Sequence, residues 1–151
     1  MESRMQKPIY VLNGPNLNRL GTREPQIYGT TTLTEIETIC RDAARGWPVE
    51  FRQSNAESEI VDAIHDAIDH GGGIVVNAAG LTFSSIPIVD ALKMFAGPVF
   101  ELHISNIHRR EPIYHHSLIS GEATAVIMGL GADGYRTAIE AMVRRLGGAP
   151  S

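Results

Sequence analysis

An acidic residue and a histidine stand two positions apart in Glu101-Leu102-His103, at the end of a predicted β-strand. Because side chains alternate between the two faces of a strand, Glu101 and His103 point to the same face. A carboxylate that accepts a proton from one imidazole nitrogen fixes the tautomer and leaves the other nitrogen for proton transfer. The spacing therefore predicts a general acid or base. A histidine whose hydrogen bonds serve only the fold is the alternative interpretation.

Metal chemistry is disfavoured by the arrangement of the other candidate ligands. His103, His108, His115 and His116 lie on a strand end and in a loop, without a ligand spacing typical of a metal site. Cys40 is the single cysteine, which excludes an intrachain disulfide and a zinc site of the thiolate type. We expect no metal.

A second group of reactive side chains, Arg19, Arg23 and Tyr28, lies in the long segment that follows the first predicted strand, residues 13–32. A phenol with its ordinary pKa of about 10 is a poor base at neutral pH. A guanidinium about 4 Å away contributes roughly 4 kcal/mol at an effective dielectric near 20, or about three pKa units. Two arginines near Tyr28 would therefore produce a tyrosinate base. A solvated arginine-rich loop is the alternative.

Short apolar runs alternate with helical patterns along the chain. The predicted strands are 8–12, 49–53, 74–77, 99–104 and 123–128, and the predicted helices are 32–45, 54–71, 86–95 and a closing helix from Tyr135 to Leu146. Thr32 with Glu35, and Ser54 with Glu57, match the capping box that begins a helix. This alternation predicts parallel βαβ units and a doubly wound sheet of five strands with helices on both faces.

In a doubly wound sheet, ligands bind beyond the carboxyl ends of the strands, at the point where the strand order reverses. We therefore expect the segments after the first, third and fourth strands to form the site. The segment 13–32 is longer than most connections in a compact domain, and loops of that length are usually lids or binding loops.

Length and composition limit the number of domains, the partners and the location that we expect. The 151 residues, 43% of them hydrophobic, suffice for one domain, which we place at 8–147 between a loosely ordered N-terminus, 1–7, and a tail, 148–151. A formal net charge of -4 gives no overall positive field for nucleic acid or an anionic membrane. No apolar run approaches the roughly 20 residues that span a bilayer, and the first ten residues do not resemble a secretory signal. We expect a cytoplasmic location.

A glycine motif near the end of the chain, Gly129-Leu130-Gly131-Ala132-Asp133-Gly134, matches the dinucleotide fingerprint G-x-G-x-x-G. The fingerprint also requires an acidic ribose contact about 20 residues further on, and the chain ends before that position. We interpret the glycines as residues that let the last helix pack closely on its strand, and we expect no cofactor.

Several segments gain specificity when they are taken together. They are Asn13-Gly14-Pro15-Asn16-Leu17, Arg19-Leu20-Gly21, Arg23-Glu24-Pro25, Tyr28-Gly29, Asn77-Ala78-Ala79-Gly80-Leu81-Thr82, Glu101-Leu102-His103-Ile104-Ser105-Asn106 and His115-His116-Ser117. Over about residues 8–147 the chain resembles the type II 3-dehydroquinate dehydratases. The resemblance implies a flavodoxin-like fold with three α/β/α layers, and a dodecamer built from trimers. It also implies the third step of the shikimate pathway, catalysed without metal or cofactor on a small-molecule substrate.

The resemblance further implies an anti elimination of water from 3-dehydroquinate, giving 3-dehydroshikimate through an enolate. Tyr28 would remove the proton next to the ketone, helped by Arg23 and Arg110. His103, oriented by Glu101, would then protonate the departing hydroxyl.

The resemblance also assigns binding roles. Asn16 and the backbone near Ala78 would hold the water that hydrogen-bonds the enolate oxygen, and Asp90 matches an aspartate that reaches the site of a neighbouring subunit. The groups implied for the substrate carboxylate are Asn77, the backbone amides of Ile104 and Ser105, and the Ser105 hydroxyl.

Phe83 and Tyr114 depart from the family pattern, which usually has histidine and arginine at these positions. Both missing groups hydrogen-bond ring hydroxyls of the substrate, and hydrogen bonds involving charged groups contribute roughly 1.5 to 3 kcal/mol each. Two hypotheses follow. Either the Tyr114 hydroxyl and a neighbour such as His115 replace the lost donors, or the chain is a diverged paralogue that dehydrates another hydroxy-keto acid. A non-catalytic flavodoxin-like binding module is the alternative from a different class of protein.

Overall fold

The structure is a computed structural model that describes residues 6–22 and 24–147, except for the side chains of Ile27 and Tyr28. Within these residues the strands are β1 (Ile9–Asn13), β2 (Val49–Gln53), β3 (Gly73–Asn77), β4 (Val99–His103) and β5 (Ala125–Met128). The α-helices are α1 (Pro25–Tyr28), α2 (Leu33–Ala44), α3 (Glu57–His70), α4 (Ile86–Lys93) and α5 (Asp133–Arg145). The predicted terminal segments 1–7 and 148–151 lie outside the described residues, apart from Gln6 and Lys7.

All neighbouring strands are parallel, in the order β2-β1-β3-β4-β5. The predicted doubly wound sheet is confirmed. Every residue of β1, β3 and β4 is buried, as expected for central strands covered on both faces, whereas β2 and β5 are partly exposed. The order reverses between β1 and β3, and their register sets Asn13 beside Asn77 at the carboxyl edge.

Helices cover both faces of the sheet, which gives the predicted three layers. In β1, Ile9 and Val11 belong to the core that contains α2 and α5, and Tyr10 and Leu12 belong to the core that contains α3 and α4. The alternation follows from the period of two along a strand. Apolar helix residues complete each core: Ile36, Cys40, Ile139 and Met142 on one face, and Ile60, Ile64, Ile88 and Leu92 on the other.

One of the two predicted capping boxes forms. Thr32 accepts from the Glu35 backbone, and the Glu35 side chain accepts from the Thr32 backbone, at the start of α2. The predicted box of Ser54 with Glu57 is wrong, because the Ser54 hydroxyl accepts from the Ala56 backbone N–H and donates to Glu59.

A tertiary contact explains the missing box. The Glu57 carboxylate accepts a 2.6 Å hydrogen bond from Ser85, the N-cap residue of α4, instead of returning to its own helix. Helix α3 consequently begins at Glu57, three residues after the predicted start.

The long irregular segments contain short helical turns that the sequence did not predict. They are the 3-10 helices Leu17–Arg19, Ala79–Phe83, Ile107–Arg109, Pro112–Tyr114 and Ser120–Glu122, together with α1. Pro25 and Pro112 begin two of these turns, where a proline lacks only an N–H that would have no helical partner. Such turns are too short to show a periodic pattern in the sequence.

Candidate active site

A cavity of about 220 Å³ opens at the carboxyl edge of the sheet. Its lining comes from the segments after β1, β3 and β4, as predicted: Pro15, Asn16, Leu17, Asn77, Ala79, Gly80, Phe83, His103, Ile104, Ser105, Ile107, Arg110 and Tyr114. Asn77 and His103 line the cavity, and buried groups are hydrogen-bonded to them: Glu101 to His103, and Tyr135, with Asn13 beyond it, to Asn77. We call these five residues the polar floor. We call Phe83, Arg110 and Tyr114 the aromatic wall.

Glu101 and His103 form the buried pair that the sequence predicted. His103 Nε2 lies 2.5 Å from Glu101 Oε2, and the two residues are 5% and 0% exposed. Glu101 also accepts from the Ser117 hydroxyl at 2.7 Å and from the Ser120 hydroxyl at 2.5 Å. Burial alone raises the pKa of the Glu101 carboxyl, but the bonds from His103, Ser120 and Ser117 lower that pKa below its ordinary value. The carboxylate therefore stays ionised and orients the imidazole, leaving Nδ1 for another partner.

The two serines that complete this arrangement carried little sequence signal. Ser117 belongs to a segment that supports the family resemblance, but its contact with Glu101 was not predicted. Ser120 stands in a 3-10 turn nineteen residues from Glu101, and no local pattern relates the two.

Asn77 belongs to a second hydrogen-bonded group, at the ends of β1 and β3. Its Nδ2 donates to the Tyr135 hydroxyl at 3.0 Å, and its Oδ1 accepts from the Ala79 backbone at 3.2 Å. The Tyr135 hydroxyl donates to Asn13 Oδ1 at 2.8 Å. The sequence predicted Tyr135 only as an apolar residue of the closing helix, and its link to Asn77 was missed.

The chain leaves β1 by a close crossing that brings Asn16 to the cavity. Gly14 lies against Ala78 so tightly that an added Cβ would come within 2.4 Å of the Ala78 carbonyl oxygen. Asn16 then adopts a left-handed conformation (φ 73°), and its N–H donates to Asn55 Oδ1 at 2.9 Å. Asn16 and the Ala78 backbone, paired by the resemblance, therefore belong to adjoining segments.

Ring contacts hold the aromatic wall together. The Phe83 ring is stacked on His103 with centroids 6.2 Å apart, and it forms a T-shaped pair with Tyr114 with centroids 5.4 Å apart. The Arg110 guanidinium carbon lies 4.1 Å from the centre of the Tyr114 ring, within cation–π range. His115 Nε2 bonds to the Arg110 carbonyl at 2.6 Å, and His115 does not line the cavity in the described structure.

Glu101 reaches the cavity only through His103, and three other predicted site residues are not described as part of its lining. Asp90 lies on the exposed side of α4, 4.0 Å from Lys93. Arg23 lies outside the described residues. The backbone of Tyr28 ends α1, but its side chain is likewise outside the description.

The described residues contain neither a cluster of metal ligands nor a helix that could span a membrane. Among residues 6–22 and 24–147, no cluster of three or more His, Cys, Asp or Glu side chains is placed to hold a metal ion. In the same part of the chain, no helix has the length and apolar character needed to cross a membrane.

A cavity at the switch point of a parallel sheet, with an ionised carboxylate holding an imidazole at its edge, defines a flavodoxin-like α/β enzyme equipped for acid–base chemistry. The model of the family "Dehydroquinase class II" matches residues 7–143.

Curated relatives agree with that match. A 3-dehydroquinate dehydratase from Methylobacterium radiotolerans is 48% identical over 149 residues, covering 97% of this chain and all of the relative. A 3-dehydroquinate dehydratase from Streptomyces avermitilis is 53% identical over 136 residues, covering 88% and 86%. The crystal structure of type II dehydroquinase from Propionibacterium acnes superposes with a TM-score of 0.87 at 45% identity, covering 93% of this chain and 98% of that one. The chain belongs to the class II dehydroquinase family.

Proposed function

We propose that this protein is a 3-dehydroquinate dehydratase, a hydro-lyase that converts 3-dehydroquinate to 3-dehydroshikimate by anti elimination of water. Relatives of that name cover nearly the whole chain. The observation that carries the proposal is the buried Glu101–His103 pair at the edge of the cavity. This function places the protein in the shikimate pathway, and we propose a cytoplasmic location.

The first step of the proposed reaction is proton removal. The Tyr28 phenolate takes the proton from the carbon next to the ketone, and the electron pair of that C–H bond forms the enolate. Arg23 and Arg110 favour the phenolate by their positive charge. Arg110 lines the cavity. Asn16 and the backbone near Ala78 hold a water that donates to the enolate oxygen.

The second step expels the hydroxyl group. The enolate collapses to the enone, the C–O bond breaks, and the departing oxygen takes a proton from His103 to leave as water. The imidazolium form of His103 donates Nε2–H to Glu101, so Nδ1–H is the group that faces the leaving hydroxyl. Proton exchange with solvent restores Tyr28 and His103 for the next cycle.

Uncharged hydrogen-bond donors bind the substrate carboxylate. We assign this binding to the amide of Asn77, to the backbone N–H groups of Ile104 and Ser105, and to the Ser105 hydroxyl, all of which line the cavity. Phe83 and Tyr114 cover the ring of the substrate. Because His115 is bonded to the Arg110 carbonyl, the Tyr114 hydroxyl is the better candidate to replace a lost donor to the ring hydroxyls.

We also propose that the chain, as a single catalytic domain over 8–147, assembles into trimers and a dodecamer in which Asp90 contacts the site of a neighbouring subunit. The exposure of Asp90 on α4, away from the cavity of its own chain, supports this role. A sizing column with light scattering would measure the mass, and a monomer that is active would contradict the assembly.

The test of the function is a rate measurement on purified protein with 3-dehydroquinate, following the ultraviolet absorbance of the conjugated enone. We expect turnover by the wild type and loss of at least about a hundredfold in kcat for Tyr28→Phe. Tyr10→Phe is the matched control, because the Tyr10 hydroxyl is bonded to Asp66 and Tyr10 does not line the cavity. A wild type that forms no enone would overturn the function, and equal rates for Tyr28→Phe and wild type would overturn the base.

A further inference from the structure

Tyr135 is a buried tyrosine, 0% exposed, whose hydroxyl joins the ends of β1 and β3 by bonds to Asn13 and to Asn77, which lines the cavity. We propose that Tyr135, together with the glycine turn Gly129–Gly134 that precedes it, positions the donors that bind the substrate carboxylate. The inference rests on the proposed function, and it gives a structural role to the glycine motif of the sequence. Tyr135 itself is a positioning residue, because it acts through Asn77.

A backbone carbonyl, that of Arg52, determines which group donates in each hydrogen bond of Tyr135. Asn13 Nδ2 donates to the Arg52 carbonyl at 2.9 Å, and a carbonyl can only accept. Asn13 must therefore present Oδ1 to Tyr135, which donates its single hydroxyl proton there. The Tyr135 oxygen is left as an acceptor, and Asn77 Nδ2 supplies the proton.

This series of hydrogen bonds fixes the orientation of the Asn77 amide. With Nδ2 on Tyr135, the Asn77 Oδ1 accepts from the Ala79 N–H. In a flipped amide, Asn77 Nδ2 would face the Ala79 N–H, and these are both donors. Asn77 Oδ1 would face the Tyr135 oxygen, which could bond to it only by withdrawing its proton from Asn13. Asn77 is 4% exposed and lines the cavity, so the second hydrogen of Nδ2 remains for a ligand there.

The glycine turn orients the other two donors. Gly129 N–H donates to the His103 carbonyl at 3.3 Å, and Gly131 N–H donates to the Ile104 carbonyl at 3.0 Å. In a trans peptide the carbonyl and the following N–H point in opposite directions. The N–H groups of Ile104 and Ser105 therefore point away from the turn, and both residues line the cavity.

The turn needs glycine for this contact. Gly129 and Gly131 have φ of +90° and +65°, values that other residues adopt only under strain. The helix that follows carries Tyr135 in its first turn, so the same turn fixes two peptide groups of cavity-lining residues and places the hydroxyl that bonds to Asn77. The site that results binds an anion with neutral donors alone.

Tyr135→Phe tests the proposal, because it removes one hydroxyl and keeps the ring. Tyr10→Phe is the control, since it removes another buried hydroxyl from a tyrosine outside the cavity lining. We expect Tyr135→Phe to raise KM for 3-dehydroquinate about five- to tenfold, with kcat within threefold of wild type, as for the loss of one or two hydrogen bonds. Tyr10→Phe should leave both constants within twofold.

A double-mutant cycle with Asn77→Ala separates positioning from a general loss of structure. If Tyr135 acts through Asn77, adding Tyr135→Phe to Asn77→Ala raises KM less than twofold further. The proposal is overturned if the wild type turns over substrate and Tyr135→Phe behaves like Tyr10→Phe, or if its effect persists undiminished in the Asn77→Ala background. A wild type without turnover is the separate result that overturns the proposed function.

If circular dichroism shows that Tyr135→Phe does not fold, the glycine turn decides the question. Gly131→Ala forces alanine into a left-handed conformation at a position with open space around it, and Gly46→Ala does the same in the turn between α2 and β2, outside the cavity lining. We expect a KM increase of about threefold or more for Gly131→Ala only. Equal KM values for the two variants would overturn the proposal.

Discussion

The polar floor and the aromatic wall of the cavity are built on different principles. The floor residues stand on β1, β3 and β4 and on the first turn of α5, and they form two hydrogen-bonded groups with distances of 2.5 to 3.0 Å. The wall residues stand in irregular segments, and contacts between rings and a guanidinium hold them. Phe83 is the link between the two, because its ring is stacked on His103.

Replacing a residue should have different consequences in the two regions. Removing one member of the floor leaves a buried donor or acceptor without a partner, which costs about 1 to 3 kcal/mol in addition to any lost chemistry. Phe83 and Tyr114 of the wall contact their neighbours through their rings, so another flat or long side chain can replace either ring. We therefore expect the Glu101–His103 pair of the floor to set the rate of the chemical step and the Asn77–Tyr135 pair to set the affinity for the substrate carboxylate. Phe83 and Tyr114 of the wall should set which substrate ring is accepted.

The largest effect is expected at the acid. His103→Ala removes the proton donor to the leaving hydroxyl, so kcat should fall by about a hundred- to ten-thousandfold. Steady-state rates with 3-dehydroquinate measure this, and His108→Ala, at an exposed histidine outside the lining, is the control. A loss in KM alone would contradict the assignment of His103 to the chemical step.

Glu101→Gln should have the next largest effect. The amide keeps the shape of the carboxylate but loses the charge that stabilises the imidazolium, and hydrogen bonds to charged groups contribute roughly 1.5 to 3 kcal/mol. We expect kcat to fall about ten- to a hundredfold with KM little changed. A variant as fast as wild type would mean that the floor does not tune the acid.

Ser120→Ala tests the floor through stability. Because hydrogen bonds lower the pKa of Glu101 in the folded state, their stabilisation is present above the ordinary value of 4.5 and is lost as pH falls through the lower folded value. We expect a loss of about 1.5 to 3 kcal/mol in unfolding free energy at pH 7. Urea unfolding from pH 7 to pH 3 should show that the difference from wild type shrinks in acid.

The control for this series is Ser84→Ala, at an exposed serine, which should change unfolding free energy by less than about 0.5 kcal/mol. A Ser120→Ala difference that stays constant down to pH 3 would show that its hydroxyl does not act on an ionised Glu101.

The smallest effect is expected at the wall. Phe83→His together with Tyr114→Arg introduces the donors that the family resemblance implies, and it should raise kcat/KM for 3-dehydroquinate by about tenfold, mostly through KM. Ile113→Ala, at an exposed neighbour, serves as the control. No gain, or a change confined to kcat, would contradict the view that the wall sets recognition.

Local pattern explains what the sequence could predict of this site. Glu101 and His103 share a face because a strand has a period of two, and Asn77 was placed at the edge because its strand ends there. The links through Tyr135 and Ser120 were not predictable, since Tyr135 is 122 residues from Asn13 and 58 from Asn77. Only the packing of α5 under the ends of β1 and β3 brings them together.

For the fold, too, local patterns were predictable and contacts between distant segments were not. Apolar runs bounded by breakers predicted five strands, and their alternation with helices predicted that the strands are parallel. The order of the strands in the sheet was not predicted from these runs. The start of α3 was missed because Glu57 bonds to the cap of α4 rather than to its own helix. The substitutions at Phe83 and Tyr114 were visible in the sequence, but the stacking of Phe83 on His103 depends on how two distant segments meet.

A crystal structure with 3-dehydroshikimate bound would test the division between floor and wall most directly. We predict the product carboxylate within about 3 Å of Asn77 Nδ2 and of the backbone N–H groups of Ile104 and Ser105, with the ring against Phe83 and Tyr114. His103 Nδ1 should face the carbon from which the hydroxyl left. A carboxylate bound instead by Arg110 at the wall, with Asn77 making no contact, would contradict the account.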